Sequence, residues 1–194
     1  MPNPSHEWRS RVIGLDESVH PNVSTMAKAA EWFSKACLRD NRSKGSWMVL
    51  CGDTGVGKTH VARKVGAYVC AHQIDAYASG WIRSDNLFSP VFARWDTIAD
   101  ASDREFNELL DYEVRGAWLV ILDDIGAETD RFKSGVPEAR LKAILDASEN
   151  KWLLMTTNVH PDSWEERWGR RVQDRLREAI IITLDGVESY RGRK

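Results

Sequence analysis

The string Gly52-Asp53-Thr54-Gly55-Val56-Gly57-Lys58-Thr59 places three glycines, a lysine and a threonine within eight positions. A tight bend needs one glycine. Three let the backbone approach a polyanion closely and turn its N–H groups toward it. A lysine at the end of such a loop supplies a compact positive charge, and a threonine hydroxyl supplies an oxygen ligand for a divalent cation. The matching chemistry is a nucleoside triphosphate held with Mg2+: backbone around the phosphate chain, Lys58 on the β- and γ-phosphates, Thr59 on the metal. The binding run extends to His60. A helix opening at Lys58 adds its N-terminal partial positive charge to the same place.

Three further groups fit this chemistry. Asp123 and Asp124 follow the apolar run 117–122. Asp123 suits Mg2+, usually through water, and Asp124 suits a general base that polarises an attacking water. "TTN" (156–158) closes another apolar run, which places Asn158 to hydrogen-bond the γ-phosphate or the water. Between positions 167 and 177 there are arginines at 167, 170, 171, 175 and 177 against the single acid Asp174. Hydrolysis often needs a cation from a neighbouring subunit. Arg171 or Arg175 suits that role, which implies a homo-oligomer with composite sites between subunits.

The elements that must position these residues are legible as periodicities. Residues 1–21 carry prolines and no apolar period, and read as an N-terminal arm. A helix is expected from Asn22 to about Asp40, a loop over 41–46 and a buried strand over 47–51. From Lys58 to about His72 the valines 61, 65 and 69 and Tyr68 fall on one helical face. A weak strand is expected over 74–83, and 84–95 has no clear assignment. Ser102 to Glu105 is a capping box opening a helix faced by Phe106, Leu109, Leu110 and Val114. Pro137 suits the first turn of another helix, faced by Leu141, Ile144 and Leu145. "WLLMTTN" (152–158) is a strand, 162–167 and 170–178 are short helices, and "IIITL" (180–184) is the last strand. Apolar strands alternating with amphipathic helices imply a parallel sheet covered on both faces, with ligands at the strands' carboxyl ends.

The chain has 194 residues, 42% of them apolar, and a net charge of −2. That suits one domain of ordinary size, and no global basic field announces nucleic acid. Cys37, Cys51 and Cys70 have no CxxC spacing, which argues against a zinc ribbon and for a reducing, cytoplasmic setting. The polar N-terminus has no signal-peptide core, and no apolar run reaches the length of a membrane span. Most of the nine tryptophans are expected in packing.

"GDTGVGKTH", "LVILDDIGAE", "LLMTTN" and "WGRRVQDRL", in that order, resemble the AAA+ ATPases and within them the DnaC/IstB-like branch of helicase loaders and transposition helpers. The resemblance spans roughly 45–191, and the "SYR" at 189–191 is similar to helicase-loader tails. It implies an α/β P-loop NTPase core (45–194, with a short basic tail) behind the arm and a helix at 22–44, and no substantial C-terminal lid. It makes 52–59 Walker A, Asp123 and Asp124 Walker B, Asn158 sensor 1 and Arg175 the arginine finger ahead of Arg171. It also implies single-stranded DNA and a replicative hexameric helicase as partners, in a bacterial cytoplasm, for a phage or bacterial gene. Three departures stand out: only ten residues, Asp185 to Lys194, follow the last strand, too few for the helical lid of larger members; only about 45 residues precede the core; and Asp124 replaces the glutamate many members carry. Alternative readings are a transposition helper on duplex DNA, an ATP-switched adaptor with negligible turnover, and a small-molecule P-loop kinase.

Overall fold

The computed structural model describes residues 7–39, 44–80, 90–128 and 134–192. Five strands form one sheet: β1 (Trp47–Cys51), β2 (Val91–Arg94), β3 (Leu119–Ile125), β4 (Trp152–Thr157) and β5 (Ile180–Thr183). All pairings are parallel and the order is β2-β3-β4-β1-β5. The chain therefore leaves β1, crosses to β2 at the far edge and works back. The carboxyl ends of β1 and its neighbour β4 meet at this change of direction, where open α/β sheets leave a crevice.

The strands are apolar on both faces because both are covered. Met48, Leu50, Leu119, Ile121 and Leu154 pack on one side with α1 (Arg9–Ile13, a π-helical turn), α2 (Pro21–Arg39) and α3 (Lys58–Ala78). Val49, Val120, Leu122, Leu153 and Met155 pack on the other. There they meet α4 (Trp95–Asp100), α5 (Asp103–Glu108) with its π-helical continuation Leu109–Val114, α6 (Val136–Ala147) and α7 (Trp164–Leu176). Trp95, Trp152, Trp164 and Trp168 are fully buried, which accounts for four of the tryptophans as packing. Beyond β5 the described residues form one 3-10 turn, Tyr190–Gly192, and no helical lid.

Two expectations change. The strand expected over 74–83 is absent where it is described: α3 continues through Ala78, and Ser79 N–H and Gly80 N–H donate to the carbonyls of Asp75 and Tyr77 to close it. Alanines at 67, 71, 76 and 78 sustain the helix, and neither glycine nor proline occurs between Gly66 and Gly80. Residues 81–83 of that stretch, and 41–43 of the expected loop, lie outside the described residues. The two short helices expected at 162–167 and 170–178 are present within α7, which is broken between them at Gly169, whose φ of 75° and ψ of 161° are non-helical. The stretch read as an arm is helical over 9–13, and Ile13 is fully buried. Arg9 secures it, donating to Glu17 at 2.7 Å and Glu31 at 2.8 Å beneath the surface.

Candidate nucleotide-binding site

The glycine loop spans β1 and α3 at the crevice. It lines a cavity of about 400 Å3 with Thr54, Gly55, Gly57, Lys58, Thr59 and His60, facing Asp124 and Asn158. Gly55 has a φ of 88°, and a Cβ there would meet Ser189 Oγ at 2.1 Å. The absence of a side chain at this glycine thus leaves room for the chain's own tail. Gly52, Asp53 and Val56 do not line the cavity; Val56 is fully buried and anchors the loop in the core.

Lys58 is buried, and its ammonium group uses all three protons: to the carbonyls of Gly52 (2.7 Å) and Asp53 (2.8 Å) and to Asn158 Oδ1 (2.7 Å). Burial lowers its pKa, opposed by the nearby carboxylates Asp124, Asp53 and Asp123 and by Cys51. A phosphate would replace these neutral acceptors with charged ones and relieve the desolvated charge. Asn158 is gripped from both sides: its Nδ2 donates to Asp124 Oδ1 at 3.0 Å, which orients the amide with oxygen toward Lys58. Lys58, Asn158 and Asp124 thus form one hydrogen-bonded chain across the crevice.

Asp123, 4% exposed, accepts at Oδ1 from Thr59 Oγ1 (2.8 Å) and from Thr156 Oγ1 (2.7 Å). Thr156 also accepts from Asp124 N–H at 2.8 Å, so one hydroxyl orients both acids. Asp124 has a left-handed φ of 64°, a conformation aspartate tolerates better than most residues. That twist separates the paired acids: Asp123 turns into the structure beside Thr59, and Asp124 lines the cavity. A hydroxyl and a carboxylate oxygen side by side are hard-oxygen donors that fit Mg2+. No cluster of three or more His, Cys, Asp or Glu side chains suited to a metal exists among the described residues. Mg2+ would therefore rest on Thr59 and Asp123 together with its phosphate ligand.

The site has components that the motifs alone did not assign to it. Gly14 and Leu15, from the expected arm, and Tyr190 and Arg191, from the tail, line the same cavity. His60 Nε2 donates to the Ile13 carbonyl at 2.6 Å and fastens α1 over the loop. Tyr190 N–H donates to the Gly55 carbonyl at 2.9 Å. The signals were faint: an Ile-Gly-Leu run in a polar segment, and a Ser-Tyr-Arg string after the last strand. A second connection runs from the acidic turn to α7. Arg167 donates to the Glu128 carboxylate and its backbone carbonyl, each at 2.8 Å, and Glu128 also accepts from the Trp95 indole.

Arg175 does not reach the cavity. It lies on α7 beyond the Gly169 break and pairs with Asp146 of α6 at 2.8 Å. Arg171, on the same segment, is exposed. Neither lines the cavity of its own chain, the arrangement required of a side chain that acts on a neighbour's site.

No protein-family model matches the chain, and no curated protein matches its sequence. Solved structures do. The DnaI crystal structure superposes with a TM-score of 0.66 at 20% identity, over 96% of this chain and 92% of that one. The DnaC helicase loader gives 0.61 at 16% identity, over 84% and 90%. The replication initiator DnaA bound to AMPPCP and single-stranded DNA gives 0.59 at 18% identity, over 80% of this chain and 45% of that one. The chain therefore has the AAA+ P-loop fold that these structures share.

Proposed function

We propose that this chain is an Mg2+-dependent ATPase of DNA replication that helps to load or remodel a replicative helicase in the presence of single-stranded DNA. The observation that carries the nucleotide part is the convergence of Lys58, Thr59, Asp124 and Asn158 on one cavity at the strands' carboxyl ends, with Asp123 behind Thr59. The replication part is supported by the likeness to DnaI, to the DnaC helicase loader and to DnaA bound to AMPPCP and single-stranded DNA, together with the motif order of the sequence.

In this account the loop amides from Thr54 to His60 cradle the phosphate chain. Lys58 exchanges Asn158 and the two carbonyls for phosphate oxygens. Thr59 and Asp123 hold Mg2+, which neutralises phosphate charge when bound. Asn158, released by Lys58, positions the attacking water, and Asp124 accepts its proton. Arg175 of a neighbouring copy, freed from Asp146, stabilises charge on the transferred phosphoryl group, with Arg171 next in line. The protein works as an oligomer in the bacterial cytoplasm.

The test is steady-state ATP hydrolysis with and without single-stranded DNA, for the wild type and Arg175→Ala. DNA-stimulated turnover that collapses in the variant, with ATP binding intact, supports the proposal. Stimulation by duplex DNA alone favours a transposition helper. ATP binding without turnover favours the adaptor, a reading the shorter Asp124 side chain also supports.

A further inference from the structure

A cavity of about 1100 Å3, sharing no lining residue with the nucleotide site, runs along the outer edge of the sheet. β2 pairs with β3 on one side, and no described strand pairs with its other edge. Such an edge offers a ladder of backbone donors and acceptors to any extended segment that can lie against it. The cavity is lined by Phe92 of this strand, 38% exposed, and by Tyr112, 82% exposed. Large aromatic side chains left in water beside an open strand are the anchors that protein interfaces favour.

The charge around this groove is one-sided. From Trp95 to Val114 the chain has seven acids and one base. Asp100 and Glu113 line the groove without an ion-pair or side-chain hydrogen-bond partner among the described residues, and Glu108 has only Arg104 at 3.9 Å. The groove's own cations are already engaged: Arg94 pairs with Asp96 at 2.5 Å, and Arg63 lies over the Phe92 ring at 5.5 Å. A nucleic-acid backbone would be repelled from such a rim.

We propose that this groove docks an extended, lysine- or arginine-bearing segment of a protein partner, added as a strand along β2. Its cations meet Asp100, Glu108 and Glu113 with their stems along Tyr112, on the α5 side of the sheet, and its apolar side chains cover Phe92, on the α3 side. The alternation of a strand suits this division, since successive side chains face opposite sides. The inference is independent of the nucleotide chemistry.

The probes are an alternating lysine–valine heptapeptide and its glutamate–valine counterpart, followed by fluorescence anisotropy and by backbone amide NMR shifts. The lysine peptide should bind, the glutamate peptide should not, and the shifts should centre on Val91–Arg94 and α5. The double substitution Asp100→Lys with Glu113→Lys, at two exposed positions, should weaken binding about tenfold. Tyr112→Ala should weaken it while leaving its salt dependence unchanged. Equal binding of both peptides, indifference to the double substitution, or shifts centred elsewhere would overturn the proposal. So would an oligonucleotide that competes for these residues, or self-association abolished by the double substitution, which would make a second copy the occupant.

Discussion

Replacing Thr156 with valine tests how the two acids are held. The side chain is fully buried, and valine keeps its volume while exchanging the hydroxyl for a methyl group. The hydroxyl makes two contacts: it donates to the Asp123 carboxylate at 2.7 Å and accepts from Asp124 N–H at 2.8 Å. A hydrogen bond to a charged group contributes about 1.5–3 kcal/mol, and an orphaned polar group costs about 1–3 kcal/mol. Partial relaxation brings the expected loss to about 3 kcal/mol. Thr156→Ser keeps both hydrogen bonds and loses one buried methyl, about 1 kcal/mol. Urea denaturation of both variants should therefore rank valine as the more destabilising by about 2 kcal/mol. Mg2+-dependent ATP affinity should fall in the valine variant and persist in the serine one. Equal stability of the two, or a valine variant that binds Mg2+-ATP normally, would refute the claim that this hydroxyl orients Asp123 and Asp124.

Other consequences follow from the same geometry. Arg9→Ala leaves Glu17 and Glu31 without their guanidinium partner, both largely buried. It should cost about 3 kcal/mol in denaturant melts and weaken ATP binding through Gly14 and Leu15. Burial pushes the thiols of Cys37 and Cys51 up to about 12. At pH 8 roughly one such thiol in ten thousand is ionised, so native thiol titration should label Cys70 alone and denatured protein all three. The sign for stability follows: unfolded thiols ionise near 9.0, so the buried pair's contribution is complete below that pH. It is lost as pH rises toward 12, visible as a weaker alkaline decline in Cys37→Ala. Gly126→Ala would place a Cβ 2.6 Å from Val159 and 3.0 Å from the Trp168 ring at a φ of 88°. It should lower the melting temperature and turnover together.

The architecture was legible because its signals are local and strong. Apolar strands such as 117–122 and the valine stripe at 61, 65 and 69 need no tertiary information, and the glycine string marks the turn between β1 and α3 where the cavity lies. Tertiary geometry, by contrast, leaves little trace in a linear pattern. Gly14, Leu15, Tyr190 and Arg191 reach the cavity from opposite ends of the chain, 175 or more positions apart in number, and only folding joins them. Thr156 read as an apolar strand's polar end, although its hydroxyl organises the acidic pair. The helix over 74–78 was missed because Ile74 and Tyr77 suggest a strand by type, while the alanines around them and the growing end of α3 decide for helix. The arginine stripe read as one face, yet its members diverge: Arg167 holds Glu128, Arg175 holds Asp146 and Arg171 stands in solvent.

The central claim is that residues 52–60 with Asp123 hold Mg2+-ATP. Calorimetric titration of ATP into the wild type, Lys58→Ala and Asp123→Asn, each with and without Mg2+, tests it most directly. The account predicts Mg2+-dependent binding by the wild type, loss of binding in Lys58→Ala, and binding that no longer responds to Mg2+ in Asp123→Asn. Wild-type affinity in a folded Lys58→Ala, or no ATP binding by the wild type at all, would contradict it.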